Sequence, residues 1–203
     1  LPKSAQKCIV SWRKYLPDYE IKEWNESNFD VNIIPYTAEA YKAKKYAFVS
    51  DYARFWILYK YGGLYFDTDV EVIKNMDDII AKGPFMGCEN EAKAGATPAQ
   101  LGVAPGLGLY GEILAQYDGK HYILPDGSYS AETVVTITTK LLCQKGLKNT
   151  SEVQQVDGVW IYPKEYFCPK DYATGRLDVT NNSVSIHHYD ASWLNKKKKF
   201  KLF

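Results

Sequence analysis

Two carboxylates one residue apart, Asp67 and Asp69, follow the short apolar run Leu64-Tyr65-Phe66, and they are the residues in this chain best suited to do chemistry. Alternate residues of an extended segment point the same way, so both side chains can aim at one point. Their natural partner is a hard divalent cation, which prefers oxygen ligands and keeps positions open for water or phosphate oxygens. Taken alone, an Asp-x-Asp is weak, because aspartates at strand ends are often only turn formers or helix caps. Here a charged pair upstream, a Gly62-Gly63 stop and the apolar strand between them coincide with it.

The charged pair sits in the segment that must position the carboxylates. Tyr52, Phe55, Trp56, Leu58 and Tyr59 cover most of a helix circumference, which predicts a largely buried helix. Ser50 or Asp51 can cap its start, and Gly62-Gly63 can end it. Asp51 and Arg54, three residues apart, share one face, and burying two charges is costly unless they meet each other, a ligand or a metal. A plain surface ion pair is the simpler account and is worth about half a kcal/mol. The apolar surroundings leave little polar surface for one and favour a ligand-facing pair. The carboxyl ends of strands are also where α/β folds bind their ligands.

The stretch Ser50 to Asp69, SDYARFWILYKYGGLYFDTD, resembles the donor-binding core of DXD sugar transferases. The resemblance is specifically to glycosyltransferase family 32 with its capsular-polysaccharide synthesis members, and more distantly to the bacterial toxin glucosyltransferases. Further matches follow in the family's order: Pro17-Asp18-Tyr19-Glu20-Ile21 with Trp24-Asn25, Ile161-Tyr162-Pro163 with Phe167 and Pro169, and Ser185-Ile186-His187-His188 with Ser192-Trp193. What the resemblance implies is a metal-dependent hexosyltransferase. It would move a hexose from a nucleotide-diphosphate sugar, a UDP-sugar first, to a saccharide or lipid-linked acceptor in bacterial capsular polysaccharide biosynthesis. Configuration would be retained, with the leaving phosphate as proton acceptor, so no nucleophile is assigned.

The same resemblance implies residue roles. Asp69 would coordinate the metal directly, and Asp67 would bind ribose or sugar hydroxyls and support the metal through water. Tyr65 would lie against ribose and base. Asp51 and Arg54 would reach the sugar hydroxyls and the diphosphate, the guanidinium being suited to planar phosphate recognition. His187 would complete the metal shell and Trp193 would close over the diphosphate. A histidine nitrogen beside carboxylates favours Mn2+, with Mg2+ as the alternative. Adjacent histidines of a strand face opposite ways, so His187 and His188 cannot serve alike. We choose His187, and the Ser192-Trp193 that follows lifts it above an ordinary strand histidine with its ring hydrogen-bonded.

Composition bounds the rest. With 203 residues, 46% of them hydrophobic, the chain can bury one good core, and we expect a single domain over residues 1–203. A net charge of +1 gives no basis for nucleic-acid binding. No stretch has the length of a membrane-spanning helix and no secretory signal is present. Cys8, Cys88, Cys143 and Cys168 are scattered and read as free thiols, so the expected location is cytoplasmic. The closing LNKKKKFKLF, residues 194–203, is either a solvated tail or a peripheral contact with the anionic inner face of a membrane. On such a face each lysine contributes about 1 kcal/mol, which would suit a lipid-linked acceptor.

The pattern of elements predicts helices at Lys3 to Tyr15, from Thr37 in two pieces to Tyr61, at Met76 to Ala81, Leu109 to Tyr117 and Ala131 to Gln144. Strands are expected at Tyr19 to Trp24, Leu64 to Phe66, Pro84 to Cys88, Val153 to Val156, Val159 to Tyr162 and Val184 to His188, with a loop over Glu91 to Gly106. This alternation predicts an α/β domain with a mixed, mainly parallel sheet flanked by helices, and the resemblance makes it of the GT-A type. Members of the resembled family begin with an apolar strand ahead of the residue corresponding to Leu1, so the resemblance also implies a sheet lacking that first strand. Asp126 and Glu132 are best explained as a turn former and a helix cap. Two rivals remain. Phe66-Asp67-Thr68-Asp69-Val70 also resembles the first motif of haloacid-dehalogenase-type phosphatases, with Asp67 as nucleophile, although Glu71 stands where that motif wants Thr or Val. The other is an inactive nucleotide-sugar binding module.

Overall fold

The computed structural model describes residues 1–89 and 96–190, with the side chains of 96–101 and 103 left aside. Trp193 and the 194–203 tail lie outside the described residues. The chain opens with α1 (Lys3–Tyr15), then α2 (Pro35–Lys42), α3 (Tyr46–Tyr61), β1 (Gly63–Phe66), β2 (Val70–Val72), α4 (Asp77–Ile80) and β3 (Phe85–Cys88). It continues with β4 (Ala96–Val103), α5 (Gly108–Ala115), α6 (Val134–Gln144), β5 (Gln154–Val156), β6 (Val159–Tyr162), α7 (Lys164–Phe167) and β7 (Ser185–His187).

Five strands form one sheet in the order β1-β4-β3-β6-β5, and β2 pairs with β7 in a separate two-stranded sheet. Successive residues of the large sheet point to opposite faces and divide two cores. Tyr65, Met86 and Ile161 join α2, α3, α5 and α6 on one side. Phe66, Phe85 and Tyr162 join α1, β2 and Phe167 of α7 on the other.

Three expectations need correction. Among the described residues only β3 and β6 run parallel, and the other pairs are antiparallel, so the sheet is mixed but not mainly parallel. The β5–β6 link shows why: Asp157 and Gly158 both have positive φ, 50° and 79°, which suits a two-residue hairpin turn. The parallel β3–β6 pair instead needs the long crossover through α5 and α6. Second, residues 96–103 form β4 rather than a loop, because β1 and β3 supply backbone partners on both its edges. Its glycine is required, since a Cβ on Gly102 would lie 2.2 Å from Cε1 of buried Phe85. Third, residues 19–23 form no strand; beside them Trp24 packs its ring 5.2 Å from that of Tyr61.

Helix α3 starts four residues before Ser50, which therefore caps nothing and instead donates from Oγ to Ala47 O at 2.7 Å. At the other end Gly62 adopts φ 68° and its N–H donates to Leu58 O at 2.8 Å, a conformation that favours glycine. All four cysteines are free, with only Cys143 exposed.

Candidate metal centre

The chain leaves the large sheet at Phe66 and enters the small one at Val70, and the aspartates occupy the corner between. Val70 N donates to Asp67 O at 3.0 Å, so Asp67-Thr68-Asp69-Val70 is a closed turn rather than the continued strand expected from the spacing. The carboxylates converge all the same. Asp67, Asp69 and His187 each offer one ligand atom, and these atoms lie within 4.8 Å of one another.

Pairing of β2 with β7 brings the histidine there. Register sets Val70 opposite His187, and His188 N donates to Asp69 O at 2.9 Å. His187 Nε2 then stands 3.3 Å from Asp69 Oδ1, while the Asp190 N–H donates to Asp69 Oδ2 at 2.9 Å. Burial favours the neutral acid at Asp69, but His187 and the Asp190 amide hold it below the ordinary carboxylate range. Burial likewise opposes charge on His187, and Asp69 with Cys168 nevertheless raises it well above the usual imidazole value. His188 turns the other way and meets Glu71 at 2.8 Å, and Lys7 reaches the same Glu71 at 3.2 Å. The two histidines thus face opposite ways, as the alternation of a strand requires.

Behind Asp67 stands Arg54, buried in α3 with only 6% of its surface exposed. Its Nη2 donates to Asp51 Oδ1 at 3.2 Å, its Nη1 lies 3.4 Å from Asp67 Oδ1, and its Nε donates to Ser50 O at 3.1 Å. Tyr65 donates its hydroxyl to Asp67 Oδ1 at 2.6 Å and carries the guanidinium over its ring at 4.8 Å. Burial works against the Arg54 charge, yet Asp67, Tyr65 and Asp51 hold it more firmly protonated than usual. Asp51 is largely enclosed as well, with 14% of its side chain exposed, and desolvation pushes its carboxyl up to about 6 against the pull of Arg54. Its Oδ2 accepts the N–H of Val134 at 3.3 Å, tying it to the first turn of α6. Asp51 and Arg54 are therefore an ion pair, but a largely enclosed one that opens onto the metal corner.

The donor set fits a divalent ion: two carboxylates, and an imidazole whose buried Nδ1 has no hydrogen-bond partner among the described residues. The Cys168 thiol lies against His187, and burial pushes it up. Beyond the outer edge of β1 a cleft of roughly 210 Å³, lined by Trp12, Tyr19, Trp24, Tyr61 and Leu64, reaches Tyr65. Away from this centre, Asp126 Oδ1 accepts from Ser128 N at 2.9 Å, the turn role expected of it. Glu132 caps nothing: it pairs with Lys120, and Thr133 is the N-cap of α6.

Residues 2–86 match the family described as "glycosyltransferase sugar-binding region containing DXD motif". The matched span runs from α1 into β3 and includes Asp51, Arg54, Tyr65, Asp67 and Asp69; His187 lies beyond it. No curated protein and no solved structure matches the chain. The match covers under half of the chain, and the mixed α/β architecture is compatible with a GT-A-like domain. Among the described residues no helix is long and apolar enough to cross a membrane.

Sequence reasoning missed Glu89, Tyr189 and Asp190, which surround His187. Glu89 follows the last residue of β3, Cys88, and so stands just beyond the carboxyl end of a strand, the same signal that marked Asp67. Tyr189, at φ 56°, holds a backbone conformation that costs a non-glycine residue energy and has no sequence signature.

Proposed function

We propose that this protein transfers a hexose from a nucleotide-diphosphate sugar, a UDP-sugar first, to a saccharide or lipid-linked acceptor with retention of configuration, in bacterial capsular polysaccharide synthesis. Asp67, Asp69 and His187 would hold a divalent ion, Mn2+ in preference to Mg2+. The observation that carries the reading is the convergence of these three ligand atoms within 4.8 Å, beside a buried arginine. When bound, the ion supplies Lewis-acid neutralisation of the donor diphosphate.

The chain's own residues do the rest. Arg54 is charged and held between Asp51 and Asp67, so it can turn donors toward diphosphate oxygens without being recruited from solvent. Tyr65, by donating to Asp67, fixes the direction of that carboxylate and offers its ring to the ribose and base. Asp51 would bind sugar hydroxyls with whatever accepting capacity Arg54 and Val134 leave it. Trp193 would close over the diphosphate. The leaving phosphate takes the acceptor proton, and no side chain is required as nucleophile. In this reading the protein works in the cytoplasm, and the lysine-rich 194–203 segment rests on an anionic membrane face near a lipid-linked acceptor.

The test is manganese-dependent hydrolysis of a panel of UDP- and GDP-sugars by the protein and by Asp69→Ala, read as released nucleotide. We expect turnover of one donor, reduced about 10²–10³-fold in the variant. Donor binding without turnover would replace this reading with a binding module, and an aspartyl-phosphate mimic forming on Asp67 with beryllofluoride would replace it with a phosphatase. Absence of both metal and donor binding would end it.

A further inference from the structure

We propose that Glu89 is a positioning residue for His187: its carboxylate fixes the tautomer and ring orientation that leave Nε2 free for the ion. The proposal rests on the metal-centre reading above. It starts from a polar atom without a partner. His187 is only 7% exposed, its Nε2 faces Asp69, and its opposite nitrogen, Nδ1, is buried with no hydrogen bond among the described residues.

A neutral imidazole carries one N–H. For Nε2 to present a lone pair to a cation, that N–H must sit on Nδ1, and a buried N–H needs an acceptor. Glu89 Oε1 lies 3.7 Å from Nδ1, one small ring rotation outside hydrogen-bonding distance. It follows directly on Cys88, the last residue of β3, a strand paired on both edges by β4 and β6.

Two neighbours narrow the alternatives. The ring of Tyr189 lies 4.1 Å from the imidazole at a 31° tilt and covers one of its faces, which limits how far the imidazole can swing. Cys168 also touches His187, but a neutral thiol is a weak acceptor and cannot stand in for a carboxylate. Carboxylates in this relation to a metal-binding histidine orient the ring and raise its basicity.

The experiment titrates Mn2+ into wild type, Glu89→Ala, Glu89→Gln, Cys168→Ala and His187→Gln, following free Mn2+ by electron paramagnetic resonance. It also records imidazole 15N shifts in the metal-free proteins above the pH at which the His187 ring loses its proton, where no ion dictates the tautomer and three histidines make assignment direct. We expect the Nδ1–H tautomer of His187 in wild type and a tautomer mixture in Glu89→Ala. Manganese binding should weaken about 10- to 100-fold in Glu89→Ala and less in Glu89→Gln, whose amide oxygen still accepts. Cys168→Ala should change neither readout.

Wild-type affinity in Glu89→Ala would overturn the proposal, and Glu89→Leu, which also lacks an acceptor, carries the test if Glu89→Ala does not fold. A weaker affinity with an unchanged tautomer would also overturn it, since Glu89 would then act by charge or ligation alone. So would Cys168→Ala reproducing the tautomer mixture. Undiminished manganese binding by His187→Gln would instead bring down the metal-centre reading itself.

Discussion

Arg54 separates two acids in different surroundings. Asp67 faces the metal corner, whereas Asp51 is largely enclosed against α6 with its carboxyl raised from 3.8 to about 6, chiefly by desolvation that Arg54 only partly offsets. A carboxyl raised on folding binds its proton more tightly in the native state, so its contribution to stability is present below pH 3.8 and is lost as pH rises through about 6. Asp51→Asn removes that dependence. Unfolding by denaturant at pH 4 and pH 7 should therefore show the variant's stability relative to wild type rising between those values by on the order of 1–3 kcal/mol. A pH-independent difference would mean that Arg54 fully compensates the burial. Tyr65→Phe is the companion test at the other acid. It removes the 2.6 Å hydrogen bond to Asp67 and should cost roughly 0.5–1.5 kcal/mol in a thermal or denaturant melt.

At the scale of elements, the metal corner depends on a strand too short to hold itself. Strand β2 has three residues and among the described residues pairs only with β7, and its other edge is covered by α1: Trp12 Nε1 donates to Val70 O at 2.8 Å, and Ser11 Oγ accepts from Val72 N at 2.9 Å. Ser11→Ala leaves that buried N–H unpaired and should lower stability by about 1–3 kcal/mol, read from denaturant midpoints. Gly102→Ala drives a Cβ into Phe85, whose ring is stacked on Phe167 at 5.6 Å, and should cost about 1–3 kcal/mol in the same assay.

These elements also show what a sequence can reveal. Helix α3, its glycine stop and the Asp67–Asp69 spacing are local patterns, and local patterns could be read directly. Strand β4 could not, because it owes its form to partners on both sides, and its Ala, Gly and Pro content reads as loop. Likewise Glu89 comes into reach of His187 only through sheet topology, and the Asp67–Val70 turn depends on the chain passing from one sheet to another. The choice between His187 and His188 needed only alternation along a strand once a β2–β7 pairing existed, yet nothing in the sequence announces that pairing.

Across the whole molecule, the proposed ligands come from distant parts of the chain: Asp67 and Asp69 from the corner after β1, His187 from β7, with Glu89 arriving from the large sheet. An ion held there would join the two sheets and would bind the folded chain far better than the unfolded one, in which the ligands are dispersed. At a concentration 100 times its dissociation constant such an ion adds about 2.7 kcal/mol. For a chain of this length that corresponds to a rise of roughly 5–10 °C in melting temperature. Calorimetry of the wild type with and without Mn2+ should show the rise, and His187→Gln should lose most of it, each protein being compared with its own metal-free melting temperature. Equal shifts in both proteins would place the ion elsewhere. No shift in wild type at a saturating concentration would mean that the corner binds no ion, leaving Asp67 and Asp69 as a turn held by Tyr65, Arg54 and the Asp190 amide.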